Sequence, residues 1–450
     1  MDASNMAADL LEVVRGLAME LHPHRFHAQG ITLDSAFGRE LGLDSLARVE
    51  LLARLEQHFN ITLPESTFAS AESARDLLRA MEAVAGHEKR GHAAPVPVIE
   101  QGETGTTPDN AKTLVDVLQW HVNTHPDRTH IHLLAEEEEY PTLTYRQLWE
   151  QAQKIAAGLQ ELGIKPGDTV AIMLPTGSEY FFSFFAILLA GAIPVPIYPP
   201  LRRSQLEEHL RRHQGILSNC NARVLITVSR AKVFAQLLKS QVPSLMHVST
   251  AADLAAAADA YQSPDIEPVD IAFLQYTSGS TGSPKGVILT HQNLLANIRA
   301  MGEAVQANGR DIFVSWLPLY HDMGLIGAWL ASMYFSATLV SLSPLSFLTR
   351  PQRWLEAIHH YRGTLSASPN FGYELCMKRI SDEEIAKLDL SSWRLAFNGA
   401  EPVSPATIEN FTARFAPTGF APESMCPVYG LAESTVGLAF PPLNRRPRID

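Results

Sequence analysis

Gln275 to Val287 reads QYTSGSTGSPKGV. These positions hold three glycines, five serine or threonine residues and one lysine, directly after the apolar run Ile271-Ala272-Phe273-Leu274. A stretch this small and polar lets backbone N–H groups close on an anion. A Walker A loop, G-x-x-x-x-G-K-[ST], started at Gly279 needs a glycine at 284 and a hydroxyl at 286, where this chain has Pro284 and Gly286. Only Lys285 falls in register. The stretch is therefore neither a P-loop of the NTPase type nor the opening of a Rossmann G-x-G-x-x-G turn.

Around it, short apolar runs alternate with helical patterns. Thr169–Leu174, Arg223–Val228, Ile271–Gln275, Ile312–Leu317, Ala337–Ser341 and Arg394–Phe397 read as strands, and Thr144–Gly163 as a helix ending at Gly163. This alternation predicts an α/β architecture with mainly parallel sheets. Tyr180–Tyr198, YFFSFFAILLAGAIPVPIY, approaches transmembrane length, but Gly191, Pro194 and Pro196 break its second half. It reads as a buried helix turning into a short buried strand, with no membrane span expected.

The first 85 residues differ. Leu10, Val14, Leu17 and Leu21 recur at helical spacing, Ser45 opens a second amphipathic helix through Phe59, and Ala74, Leu77, Leu78 and Met81 suggest another. Residues 86–112 lose periodicity and become rich in Gly, Pro, Ala and Thr, the composition of a flexible linker. The expected organisation is a small all-α four-helix unit at 1–85, a linker at 86–112 and an α/β domain at 113–450. Net charge is −12, and residues 1–88 hold 14 acidic and 7 basic side chains, which places −7 of it there. Such a balance argues against nucleic acid as a partner. Three well-separated cysteines, Cys220, Cys376 and Cys426, make no disulfide framework and favour a reducing cytoplasm. The N-terminus shows no signal peptide. His22, His24 and His27, and the Glu136–Glu139 run, read as solvated loops.

Tyr276–Gly286 closely resembles the phosphate-binding signature of the adenylate-forming superfamily of acyl-CoA synthetases, peptide-synthetase adenylation domains and luciferases. YGLAES at Tyr429–Ser434 resembles its Y-G-x-T-E motif, with Ala432 in place of threonine, and Asn398-Gly-Ala-Glu-Pro402 resembles the segment lining its adenine pocket. With Trp316–Leu325, Ser343–Pro351 and Pro369–Cys376, these blocks resemble fatty acyl-AMP ligases, which activate fatty acids for transfer to acyl carrier proteins. The resemblance implies an adenylation domain of two packed sheet-based subdomains plus a smaller one. It implies that Thr277, Ser278, Gly279, Ser280, Thr281 and Gly282 hold the phosphates of ATP. Gly399, Ala400, Glu401, Pro402, Tyr429, Gly430 and Ser434 would border the nucleotide, Glu433 would hold Mg²⁺, and Lys285, His321 and Glu433 would be the catalytic side chains.

The chemistry agrees with these residue types. Joining a carboxylate to the α-phosphate of ATP brings two anions together, so the protein must neutralise charge and hold both in line. The amides of Thr277–Gly282 and the charge of Lys285 suit the departing pyrophosphate, and a carboxylate such as Glu433 suits Mg²⁺. A carboxylate substrate needs no general base, so His321 is expected to close over the reacting groups or to border the pantetheine route; a satisfied core histidine is the plain alternative. Asp322 is a candidate cap. Trp316, Tyr334, Phe335, Phe347 and Phe371 are candidates for an acyl tunnel, or plain core.

Leu41-Gly-Leu-Asp-Ser-Leu46 resembles the carrier-protein motif whose serine receives 4′-phosphopantetheine. Ser45 at a helix N-terminus meets the physical need of a phosphodiester there, though an ordinary N-cap fits the same residue. The resemblance implies a phosphopantetheinyl transferase and polyketide or peptide synthase-type enzymes as partners, with the acceptor carrier being this one or a separate one. The superfamily's ribose-binding aspartate and C-terminal lid lysine fall beyond Asp450, so a chain missing its lid, slow in making acyl-AMP, is expected. Coenzyme A as acceptor, and a lidless binding or carrier module without catalysis, are the alternatives.

Overall fold

The computed structural model describes residues 3–21, 30–43, 45–59, 61, 63–64, 67, 70–85, 106–134, 141–199, 206–255, 260–277 and 285–448. His22, His24, His27, the Glu136–Glu139 run and residues 86–105 of the expected linker lie outside them. The chain divides into two compact units. The smaller gathers residues 1–95 with 200–210 and 348–350, and the larger takes the rest.

In the smaller unit the helices Ala3–Leu21, Ser45–Phe59 and Ala74–Ala85 bury the apolar positions that their spacing marks. Leu10, Val14, Leu17, Leu51, Leu55, Leu77 and Met81 are all within 2% of full burial. Leu21, expected on the same stripe, is 46% exposed because the first helix ends there. Arg48 is the unit's buried cation. It donates to the carbonyls of Leu43 at 3.3 Å and Ala71 at 3.4 Å, and pairs with Glu72 at 3.2 Å. These bonds tie the turn before Ser45 to the start of the third helix.

The larger unit holds two main sheets. One orders β4 (Ile193–Pro196), β3 (Thr169–Met173), β5 (Val224–Thr227) and β6 (His247–Ser249), all parallel. The other has seven strands, in the order β13 (Met425–Pro427), β12 (Leu395–Asn398), β11 (Leu365–Ser368), β9 (Ile312–Ser315), β10 (Thr338–Ser341), β1 (Thr129–Leu133) and β2 (Thr142–Thr144). Only the edge strand β2 runs antiparallel. Every residue of β5, β9, β10, β11 and β12 is buried, as continuous apolar strands covered on both faces require. The expected mainly parallel α/β architecture is present. Two antiparallel pairs, β7 (Ile271–Thr277) with β8 (Lys285–Thr290) and β14 (Tyr429–Leu431) with β15 (Val436–Ala439), stand outside it.

The apolar stretch Tyr180–Tyr198 resolves as the pattern predicts. A buried helix, Ser178–Leu189, is followed by the buried strand β4. Gly191 makes the turn between them at φ +70°, and a Cβ there would lie 3.1 Å from Pro166 and Pro264. Among the described residues no helix is long and apolar enough to cross a membrane.

Three histidines, His121, His125 and His130, pack beside Tyr145 near β1, and His132 lies against Tyr361. His121 stacks on the Tyr145 ring at 4.0 Å and His130 at 4.8 Å on centroids. His121 Nε2 donates to the Met333 carbonyl at 2.6 Å, so its Nδ1 accepts from His125 Nε2 at 2.6 Å. Burial holds His121 well below its ordinary value and, with the charge of Arg128, brings His125 to about 4 and His130 to about 3; burial alone brings His132 to about 4. Folded values below the unfolded 6.5 mean that the unfolded chain binds more protons, so stability is complete above pH 6.5 and falls as pH drops toward 4. Each such group contributes a slope of about 1.4 kcal/mol per pH unit in that window. Thermal unfolding measured from pH 7 to pH 4 should show this fall, and His130→Gln should flatten it by one group's share.

Candidate functional site

The antiparallel register of β7 and β8 places Thr277 opposite Lys285 and Tyr276 opposite Gly286. Ser278, Gly279, Ser280, Thr281 and Gly282 lie outside the described residues, but the two strands that close around them are set. Lys285, expected within the loop, is instead the first residue of β8. It is exposed, and among the described residues no carboxylate pairs with it. A Cβ at Gly286 would meet the Tyr276 ring at 2.9 Å, so glycine here lets the cross-strand aromatic lie flat. Gln275 donates to the Tyr320 carbonyl at 2.9 Å, which ties β7 to the WLPLYHD segment.

β8 runs beside the turn Ala432–Ser434, bringing the lysine's strand toward Glu433. Glu433 is exposed and makes no ion pair among the described residues. No group of three or more His, Cys, Asp or Glu suited to a metal exists among them. One free carboxylate fits Mg²⁺ in the manner of nucleotide enzymes, in which water and phosphate oxygens complete the shell. The turn is tight: a Cβ on Gly430 would lie 1.6 Å from the Val436 carbonyl oxygen. Thr435 at φ +71° and Val436 at φ +135° carry real backbone strain for β-branched residues.

Asn398 ends β12, and its carbonyl accepts from Val428 N at 2.8 Å, which sets Gly399 against the strand leading to Tyr429. Ala400 adopts φ +68°. Glu401 accepts from Phe371 N at 2.6 Å, so its carboxylate clasps the segment onto the helix Asn370–Arg379. Pro402 follows, exposed. Ser434 is half-buried within the turn Ala432–Ser434.

His321 and Asp322 form the remaining polar pair, with Nδ1 2.6 Å from Oδ1. The hydrogen bond that His321 donates to Asp322 raises the histidine's pKa, outweighing the partial desolvation of its cleft. Burial pushes the Asp322 carboxyl up, but His321 and the backbone amides of Met323 and Asp322 outweigh it, and the net direction is down. Asp322 also caps a π-helix, Met323–Leu330, through Met323 N at 2.7 Å; π turns of this kind concentrate at functional sites. The expected cap is therefore observed, and His321 is exposed on its ring rather than enclosed as core.

Behind these groups lies an apolar cavity of about 210 Å³. His321, Asp322, Ala400, Tyr429 and Gly430 border its polar end, and Met301, Val305, Phe313, Phe335, Phe397 and Phe440 line its apolar part. Of the five aromatics considered for a tunnel, only Phe335 lines it. Trp316 stacks on Phe347 at 3.8 Å and meets Phe371 edge-on at 5.8 Å, away from this cavity, while Tyr334 holds Arg299. Phe313 and Phe397 escaped notice because a cavity-facing aromatic on a buried strand has the same pattern as core.

In the smaller unit, Ser45 begins its helix, whose first turn carries no acidic residue. Gly42 adopts φ +66°, while Leu41 and Leu43 on either side are 2% exposed. The glycine lets two buried leucines anchor the turn that leads into the helix, and a helix N-terminus suits a phosphodiester.

The fold is that of an adenylation domain, parallel sheets with their polar motifs gathered at one cavity mouth. Residues 118–449 match the family described as AMP-binding enzyme, and the chain belongs to it. Residues 26–81 match the phosphopantetheine attachment site. The chain is 38% identical over 329 residues to the medium-chain-fatty-acid–[acyl-carrier-protein] ligase JamA of Moorena producens, covering 72% of this chain and 55% of that one. It is 36% identical over 366 residues to the ligase of the same description, TtuA, of Teredinibacter turnerae, covering 72% and 56%. The structure of a fatty acyl-adenylate ligase from L. pneumophila in complex with acyl adenylate and pyrophosphate superposes with a TM-score of 0.67 at 39% identity, covering 74% of this chain and 58% of that one. The chain thus spans a little over half the length of these relatives.

Removing the carboxylate in Asp322→Asn should lower the His321 pKa, since the hydrogen bond that raises it weakens while burial remains. A histidine ring titration by NMR reads this directly, and an unchanged value would show that the pair does not set the ring's charge.

Proposed function

We propose that the chain joins an acyl carrier domain to a fatty acyl-AMP ligase, with the carrier at residues 1–85, a linker at 86–112 and the adenylation domain, two sheet-based subdomains plus a smaller one, at 113–450. The observation that carries this reading is the apolar cavity whose mouth is bordered by His321, Ala400, Tyr429 and Gly430. An alkyl chain fits the apolar part, and its carboxylate then lies among the polar motif residues. The Ala71 N–H donates to the Thr67 carbonyl at 2.9 Å, between the second and third helices, which supports the four-helix reading of the carrier.

In the reaction proposed, the fatty acid carboxylate attacks the α-phosphate of ATP and pyrophosphate leaves. Lys285, Thr277 and the residues between them neutralise and hold the departing phosphates. Tyr429 and Gly399–Pro402 orient the nucleotide, with Gly430 and Ser434 shaping the adjoining turn. Glu433 would hold Mg²⁺, which offsets phosphate charge. His321, hydrogen-bonded to Asp322, closes over the reacting carboxylate and phosphate or borders the pantetheine route. A phosphopantetheine thiol, on Ser45 or on a separate carrier, then attacks the acyl-adenylate carbonyl, forming the thioester as the acyl–phosphate bond breaks and AMP leaves. A phosphopantetheinyl transferase would load Ser45, polyketide or peptide synthase-type enzymes would take the product, and the setting would be cytoplasmic.

ATP–pyrophosphate exchange with a panel of fatty and amino acids tests the reading: exchange driven by fatty acids is expected, and exchange driven by amino acids alone would overturn it. Lys285→Ala should reduce fatty-acid-driven exchange at least a hundredfold, on the scale of losing one transition-state charge contact. Incubation with a phosphopantetheinyl transferase and coenzyme A should add one pantetheine arm by mass spectrometry, and Ser45→Ala should abolish it.

A further inference from the structure

The apolar cavity has a neighbour. A second, open pocket of about 630 Å³ is bordered by Thr107, Asp109, Arg299, Glu303, Gln306 and Tyr334, and it shares Gly302, Ala307 and Phe335 with the first. Phe335 stands on the boundary, half-buried, just after the helix Ala331–Tyr334. Its ring lies against the backbone of Gly302. The three atoms nearest to a Cβ built there, at 1.9, 2.1 and 2.8 Å, all belong to this ring. Any larger residue at 302 would drive the ring out of its seat. One aromatic ring on one glycine therefore separates an apolar space from a polar one.

The outer pocket is mixed in charge. Arg299 donates to Tyr334 Oη at 2.8 Å and to the carbonyls of Ala111 at 2.7 Å and Asp109 at 3.3 Å. Among the described residues no carboxylate lies within ion-pair distance of it. Asp109 is engaged by Thr107 at 2.7 Å, and Glu303 adds a second carboxylate. With two carboxylates against one guanidinium, the pocket disfavours a further anion. Its hydroxyl, amide and carboxylate groups suit an uncharged donor and acceptor. A bare alkyl end placed there would stay wet and gain little.

Resting on the fatty acid reading of the cavity, we propose that Phe335, seated on Gly302, ends the acyl-binding space and sets the chain length accepted. The pocket beyond it takes the end of a longer chain when the ring is displaced, with preference for an ω-hydroxyl over an ω-carboxylate. Phe335 is a specificity residue at the far end of the cavity from His321, so its replacement should leave nucleotide binding unchanged.

Calorimetric titration of the full chain with non-hydrolysable acyl-adenylate analogues tests this without requiring turnover. The analogues are decanoyl, hexadecanoyl, ω-hydroxyhexadecanoyl and ω-carboxyhexadecanoyl. The unchanged chain should bind the decanoyl analogue at least tenfold more tightly than the three long ones. Phe335→Ala should erase or reverse that preference, with the ω-hydroxy analogue bound most tightly of the long set. Phe335→Leu, a milder change, should move in the same direction by less. An unshifted length preference in variants that still bind ATP would overturn the gate, and tighter binding of the ω-carboxy than the ω-hydroxy analogue would overturn the role of the outer pocket. Failure of the unchanged chain to bind any analogue, while it binds ATP, would instead overturn the fatty acid reading on which the inference rests.

Discussion

The cross-strand pairing of Thr277 with Lys285 is the constraint on which the site depends. An antiparallel ladder brings two chain ends to a fixed separation with little freedom left. Thr277 and Lys285, which flank residues 278–284, are therefore held at a fixed separation. A lysine on a strand is better fixed than one on a loop, since the ladder to the partner strand restrains its backbone. The turn Ala432–Ser434 lies beside the same strand, so the groups proposed to meet phosphate and metal share one support.

Around this support the structure separates two kinds of environment. The mouth of the cavity collects polar groups from three places in the chain, His321 and Asp322, Ala400, and Tyr429 with Gly430, while its walls come from buried strands and helices. Polar groups sit at the mouth and apolar side chains line the walls. The strained backbone at Ala400 and Val436 falls on the lining of the same cavity, with Thr435 next in sequence to Val436. Strain of that kind persists only where surrounding contacts impose it, here the close approach of Gly430 to Val436. The smaller unit follows the same logic on a lesser scale, with Leu41 and Leu43 buried so that Gly42 can turn the chain into the Ser45 helix.

Much of the fold was legible in particular residues. The runs at Thr169–Leu174 and Ile312–Leu317 are strands because β-branched and apolar side chains without alternation have only a two-sided burial to satisfy them. Gly191 and the prolines after it divided a membrane-length apolar stretch into helix and strand. Strands β1, β2, β6, β8, β11, β13, β14 and β15, most of them short, escaped this reading. Three or four residues carry too little periodicity, and their pairing is decided by partners far away in the chain. For Lys285 the residue type was readable but its element was not, because the small polar run of Gly, Ser and Thr before it reads as a loop.

By itself the sequence determined which chemical groups are present and in what order: a small polar stretch with one lysine, a Tyr-Gly-Leu-Ala-Glu-Ser segment, a histidine beside an aspartate, and a serine at a helix start. These are local matters of residue type and spacing. Only the tertiary structure decided which aromatics face a cavity and which form core, that Glu401 clasps Phe371, and that Phe335 rests on Gly302 between two pockets. The physical reason is that a side chain facing a cavity and one facing core obey the same hydrophobic pattern. What distinguishes them is whether an atom from a distant segment fills the space opposite, which the packing of distant segments settles.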